Sequence, residues 1–354
     1  MKDYYGKVLS TSKDLKTSAC TAAGAPPPAL RAVLRKVPGP VTEKFYGCGA
    51  PLPMGIEGLR VLDLGSGSGR DCYAAAALVG ERGSVVGVDM TDEQLSVARE
   101  HAESYCTGTL GYSKPNMTFV KGYMEDLSSA GIGDESVDMV ISNCVVNLSP
   151  DKRAVLREAF RVLAPGGEFY FSDVYADRRV PEAAQKDEVL WGECVSGALY
   201  VEDFKRLAKE AGFTYPIYLS ASPIEVKDAD MRKLLGPARF YSITYRLFKL
   251  PEGMLESCCE DYGQRATYKG TIEGSEGSYI LDNGHTFETG RPTHVCGNTA
   301  AMLGEGGHSW LSRHFEVQGD RKVHFGFWGC GVGGKHPVHL TSVDQGGDSS
   351  GGCC

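Results

Sequence analysis

The chain is predicted to be an α/β protein, a mostly parallel sheet with helices on both faces, followed by a smaller strand-rich α+β module. Three observations carry that expectation. Short apolar runs (RVLDL, SVVGVD, NMTFV and VDMVI) recur at spacings that leave room for a helix between them. Runs that are apolar throughout suit strands buried on both faces, as in parallel sheets. From about residue 236 the pattern changes to period-two alternation, first in FYSITYRLFKL and then in strand-like segments separated by turns such as Asp282-Asn283-Gly284.

Taken in order, GLRVLDLGSGSGR reads as strand, glycine turn and helix start, and DCYAAAALVG continues an alanine-rich helix. SVVGVD is a second strand. TDEQLSVAREHAESYC is a helix, with Thr91 as its N-cap and carboxylates in its first turn. NMTFVKG, VDMVISN and GEFYFSDV are further strands. PDKRAVLREAFRVLAPGG is an amphipathic helix stopped by a proline and two glycines, and YVEDFKRLAKEAGF is a helix stopped by glycine. The expected organisation is an arm over residues 1–44, an α/β domain over 45–235, a strand-rich module over 236–338, and a low-complexity, disordered tail over 339–354.

With 354 residues, 42% of them hydrophobic and 23% charged, the chain can bury a substantial core. A net charge of −8 without a long basic run argues against a nucleic-acid partner. No apolar segment reaches membrane-spanning length, and the N-terminus lacks an apolar signal core, so no membrane association and a cytoplasmic location are expected. In that compartment twelve cysteines point to metal or redox chemistry rather than a static disulfide framework. No C-x-x-C occurs, which removes the usual zinc-ribbon spacing, and no permanent metal is expected.

In VLDLGSGSGRD, Gly65, Gly67 and Gly69 allow the backbone to approach a ligand closely, and Asp89 ends the next strand, where a carboxylate suits a ribose diol. The glycines run G-x-G-x-G rather than G-x-G-x-x-G. Asp63 precedes them in the strand, where it can face a cationic ligand and would repel a pyrophosphate. Both features favour S-adenosylmethionine over a dinucleotide. LDLGSGSGRD, GVDM, GYMEDL and LAPGGEFYFSD, in this order, resemble the successive motifs of class I S-adenosylmethionine-dependent methyltransferases, whose sheet is Rossmann-like. The resemblance implies that Gly65, Ser66, Gly67 and Gly69 line the methionine end. It also implies that Asp89, followed by Met90, holds the ribose, and that Met124 and Glu125 border the adenine.

For an oxygen or nitrogen acceptor a general base usually assists methyl transfer, yet His101 is the one histidine in the α/β part. Sulfur stands near the expected cleft instead. Cys144 follows the fourth strand in SNCVVNL, Cys194 lies after the fifth in WGECVSGAL, and Cys48 precedes the first in FYGCGAPLP. Three thiolates from three segments suit a soft acceptor. Arsenic(III) binds three sulfurs in a pyramid and keeps a lone pair, so it needs no base.

YYG, DLKTSAC, FYGCG, GRDCY, SNCVVNL and GECVSGAL resemble the recurring motifs of arsenite S-adenosylmethionine methyltransferases, over about residues 4 to 336. The resemblance implies that Cys144 and Cys194 bind arsenic, that Cys48 is the third thiol, and that Cys20 is its redox partner. Tyr46 and Gly47 would close over the cofactor, and Asn143 would touch it. Arsenite or its thiol adduct is the implied substrate, glutathione or thioredoxin the implied reductant, and a monomer the expected state.

The other cysteines take quieter readings. Cys72 is balanced between a thiol activated by a helix N-terminus and a packing residue. Cys106, Cys258, Cys259, Cys296 and Cys330 are read as structural, and the tail pair Cys353-Cys354 as part of a disordered end. Trp310, Phe325, Phe327 and Trp328 are read as core. Two alternatives stay open: a methyltransferase for a small organic oxygen or carbon acceptor, and a thiol-based protein that sequesters metal or arsenic.

Overall fold

The apolar runs become strands because both of their faces are covered. β1 (Arg60–Leu64) is buried at every residue but the first, and it lies parallel between β2 (Ser84–Asp89) and β4 (Val137–Asn143). The computed structural model describes residues 25–45, 47, 49–187, 190–191 and 194–329. β3 (Met117–Lys121) continues the sheet beyond β2, and β5 (Leu163–Ala176) pairs parallel with β4. β6 (Leu199–Tyr200) makes a short parallel contact with the end of β5. β7 (Ile217–Ile224) and β8 (Phe240–Phe248) close the sheet in antiparallel fashion, β8 lying between β5 and β7. The order is β3-β2-β1-β4-β5-β8-β7, parallel from β3 to β5 and antiparallel at β8 and β7.

The strand FYSITYRLFKL therefore belongs to the main sheet, not to the C-terminal module as the boundary at 236 had it. Its alternation misled because its polar positions are buried too. Arg246, 1% exposed, forms a two-pronged ion pair with Glu168 of β5 at 2.6 and 2.9 Å and also donates to the Tyr279 hydroxyl and the Leu281 carbonyl. An amphipathic pattern in the sequence can thus encode an internal polar contact instead of a wet face.

Helices cover both faces. The helix Lys152–Val162 buries Val155, Leu156, Ala159 and Val162, and the helix Val201–Ala211 buries Val201, Phe204 and Ala208 in the same cluster. The alanine-rich helix Arg70–Val79 and the helix Asp92–Glu100 pack on the other side. The second of these ends at His101, earlier than its sequence pattern suggests, and continues as a short turn and a π-turn through Thr109. Thr91 caps it by position without a side-chain bond; the Thr91 amide instead donates to Asp89 at 2.8 Å.

The C-terminal module holds β9 (Glu260–Asp261), β10 (Arg265–Tyr268), the hairpin β11 (Ser278–Asp282) and β12 (His285–Glu288), β13 (Thr293–His294), β14 (Phe315–Gln318) and β15 (Gly326–Phe327). They form small antiparallel sheets. Tyr268, Phe287, Trp310 and Phe315 join the cluster beneath the alanine-rich helix, and Trp310 donates to Glu168 at 2.8 Å. Of the aromatics read as core, Trp310 is buried, but Phe325 and Phe327, beside and within the two-residue strand β15, are exposed. Among the described residues no helix is long and apolar enough to cross a membrane.

Candidate active site

From β1 the chain passes to β2 on one side while β4 flanks it on the other, so the loops leaving β1 and β4 diverge and open a crevice at their carboxyl ends. A cavity of about 330 Å³ lies there. Its wall combines Gly65 to Ser68 after β1, Asp89 to Thr91 at the end of β2, Gly122 to Glu125 after β3, and Asn143 to Val145 at the end of β4.

Gly65 has φ +66°, and a Cβ there would come within 2.6 Å of the Val145 side chain, so the turn needs glycine. Asp89 accepts from the Gly67 amide at 2.9 Å and the Thr91 amide at 2.8 Å, one on each carboxylate oxygen. Both oxygens keep lone pairs for a diol. Burial raises its pKa. Asp63 is pushed well above the usual carboxylate range by burial and then by Asp71. Three carboxylates, Asp63, Asp71 and Asp89, therefore share one cavity wall, and a cationic ligand relieves their crowding. Ser66 Oγ and Gln94 Oε1 are buried on the same wall without a hydrogen-bond partner. Orphaned polar atoms facing a cavity fit a ligand with hydroxyls and amines, as S-adenosylmethionine has.

The thiol end is built differently. Cys144 and Cys194 are each 1% exposed, and both adopt the left-handed conformation, at φ +59° and +61°. Among the described residues Glu135 is the one other non-glycine with positive φ. Such a backbone costs roughly 1–3 kcal/mol per residue and persists where its surroundings impose it. Here the Cys144 amide donates to the Ser172 carbonyl at 2.8 Å, extending the β4–β5 ladder, and the Cys194 amide donates to the Trp191 carbonyl at 3.1 Å. The Cys194 thiol reaches the Cys144 carbonyl at 3.2 Å. Gly197 seats the Cys194 turn on Asn147, whose amide and side chain bond Asp173 at 3.0 and 2.8 Å. Cys144 lines the cavity, and both cysteines sit in an apolar cluster with Val174, Leu190 and Val195. Cys144 is disulfide-bonded in this structure, which the assignment of the redox pair to Cys20 and Cys48 did not foresee. Cys20, Cys48 and Tyr46 lie outside the described residues.

Asp63, Gly65, Ser66, Gly67, Asp89, Met90, Met124, Glu125 and Asn143 all line the cavity. Gly69 does not. It has φ +90°, and a Cβ there would come within 2.8 Å of Phe119 and 3.2 Å of Ala98, so the close seating of this turn needs glycine. Gly47 is buried one layer out, where a Cβ would come within 2.7 Å of the Asn143 amide group. Cys72 is fully buried and donates to Asp63 at 3.2 Å, and burial together with Asp63 drives its pKa up rather than down. Of the two readings left open for Cys72, burial and the contact with Asp63 favour a packing residue over an activated thiol.

Several wall residues had no role in the sequence reading. Asp71 pairs with Arg70 at 2.6 Å and accepts from Asn143 at 2.7 Å, and Arg70 lies 3.2 Å from the Phe45 ring centre. The Ser149 hydroxyl bonds Glu125. Asp71 stands in the quoted motif GRDCY, so its position was legible although its partner was not.

Residues 56–212 match a family model described as a methyltransferase domain. An arsenite methyltransferase from Aquipseudomonas alcaligenes is 53% identical over 94% of each chain. One from Mus musculus is 47% identical over 86% of this chain and 79% of its own. The crystal structure of an arsenic(III) S-adenosylmethionine methyltransferase from Chlamydomonas reinhardtii superposes with a TM-score of 0.83 at 60% identity, covering 86% of this chain and all of that one. Identity at this level over nearly the whole length, C-terminal module included, joined to a glycine-lined cavity with a buried cysteine pair at its edge, places the chain in the arsenite methyltransferase family.

Proposed function

We propose that this chain methylates trivalent arsenic with S-adenosylmethionine, holding the arsenic on Cys144 and Cys194, with Cys48 as a third thiol for the unmethylated substrate. The observation that carries the reading is the contact of the Cys194 thiol with the backbone carbonyl of Cys144, fifty residues away, at 3.2 Å, with Cys144 lining the cavity that the glycine loop also lines. S-adenosylmethionine supplies an electrophilic methyl group on a sulfonium. Asp89, with both oxygens fixed by backbone amides, takes the ribose hydroxyls. Asp63, Ser66 and Gln94 take the polar, cationic remainder. Two sulfur bonds fix the arsenic and hence the direction of its lone pair, and positioning is most of what such a site must supply. The apolar cluster around the thiols keeps water from the reacting atoms.

The disulfide at Cys144 supports a reductive step before arsenic binds. Two electrons and two protons convert the disulfide to two thiols, and glutathione or thioredoxin is the proposed source. The chain is proposed to act as a monomer, with all site residues drawn from one copy. The test is to incubate the pure protein with arsenite, S-adenosylmethionine and glutathione and to separate the arsenic species. Methylated arsenicals are expected from the parent protein and none from Cys194→Ser; equal product from both would remove Cys194 from the site.

A further inference from the structure

Lys152 opens the helix Lys152–Val162, three residues beyond Ser149 on the cavity wall. A lysine in the first turn faces the positive end of the helix dipole, so its place there costs stability and calls for another cause. Its Nζ donates to the Ser149 carbonyl at 2.9 Å and lies 5.2 Å from the centre of the Trp191 ring. Trp191 is tied back to the same loop, its indole N–H donating to the Leu148 carbonyl at 3.3 Å. The Trp191 carbonyl in turn receives the Cys194 amide at 3.1 Å. On the other side the Ser149 hydroxyl holds Glu125 of the cavity wall. Glu125, Ser149, Lys152, Trp191 and Cys194 thus form one unbroken run of contacts from the cofactor wall to the thiol pair. Burial lowers the pKa of Lys152, opposed by Asp173, Cys194 and Glu125, the groups that favour its charge.

We propose that Lys152 is a positioning residue that couples the two halves of the site: through Ser149 and Trp191 it fixes the Cys194 turn against the lip of the cavity, so that cofactor and arsenic each strengthen the binding of the other. The inference rests on Cys144 and Cys194 being the arsenic thiols. Such coupling is reciprocal, so it can be read from either ligand.

The experiment is calorimetry of S-adenosylhomocysteine binding with and without saturating arsenite, on the full chain reduced with a phosphine. In the parent, arsenite is expected to tighten binding about tenfold, within the ordinary range of coupling between sites. Lys152→Met should bring that factor to about one while leaving the affinity without arsenite within about twofold. Lys152→Arg, which keeps a cation over the indole, should restore most of it. Trp191→Leu should act like Lys152→Met, and the double variant should be no worse than either, because the two side chains form one contact. A parent factor near one, an unchanged factor in Lys152→Met, no rescue by arginine, or additive losses in the double variant would each overturn the inference. Cys194→Ser separates this from the thiol assignment. Arsenite binding that survives it sinks both readings, whereas binding that needs Cys194 with coupling intact in Lys152→Met sinks this one alone.

Discussion

The cofactor wall and the thiol pair share one crevice, but the chain builds them by different means. The wall is local and rests on backbone groups. Asp89 is held by amides at Gly67 and Thr91, and the glycine turn follows directly from β1. The thiol pair is non-local and rests on strain. Two cysteines fifty residues apart are forced into left-handed backbone by the β4–β5 ladder on one side and the Asn147–Gly197 contact on the other. A wall made of backbone amides survives the loss of one side chain with reduced affinity. A site made of two side chains in strained backbone should fail as a unit.

The sharpest way to break that comparison is at the thiols. Cys144→Ser and Cys194→Ser should each lower arsenite methylation to background, and the double variant should be no worse, since the pair acts as a unit. S-adenosylmethionine affinity by calorimetry should stay within about twofold for all three, provided circular dichroism shows native folding. Appreciable turnover by either single variant would show that the site is not a unit. Gly197→Ala tests the scaffold without touching sulfur. A Cβ there would lie 2.3 Å from the Asn147 carbonyl oxygen, so the Cys194 turn must shift. A misplacement of about an ångström can cost roughly a hundredfold in rate. That loss should appear in arsenite turnover and not in cofactor affinity.

The cofactor half should respond by degrees. Asp89→Ala removes the carboxylate proposed to hold the ribose and should weaken S-adenosylmethionine binding by roughly 1.5–3 kcal/mol, with the thiols still able to capture arsenite. Unchanged affinity would take Asp89 out of the contact. The smallest expected effect concerns Asp173, which supports Asn147 and whose pKa burial raises to about 6. Between about pH 4 and 6 the folded chain keeps a proton on Asp173 that the unfolded chain has released. Stability on this account therefore falls as pH rises through that window, by up to about 3 kcal/mol. In Asp173→Asn the difference between urea unfolding at pH 5 and at pH 7.5 should shrink by about 1.4 kcal/mol, because only the last pH unit of that window is sampled. An identical pH dependence in both proteins would place the carboxyl in a wetter setting than its burial implies.

The glycine turn and Asp89 were legible because local spacing on a strand–turn–helix unit determines where they fall. Gly69 was not distinguishable from its neighbours, since a glycine for packing and a glycine for ligand approach look alike until Phe119 is seen against it. Cys72 was undecided for a similar reason. Its position at a helix start is visible in sequence, but the buried Asp63 beneath it is not. The boundary at 236 failed because an alternating pattern says which residues differ in polarity, not whether the polar ones meet water or a buried partner.

From residues alone came the α/β class, the run of strands β1 to β5 and the preference for S-adenosylmethionine as methyl donor, because periodicity and turn chemistry are properties of short segments; the roles given to the cysteines came with the family resemblance. Only the folded chain decided that β8 joins the main sheet, that Arg246 neutralises Glu168 inside it, and that Cys194 turns back onto Cys144. Each of those is a contact between segments far apart along the chain. Its energy depends on burial and on which partner arrives, and neither quantity is written in the sequence around either residue.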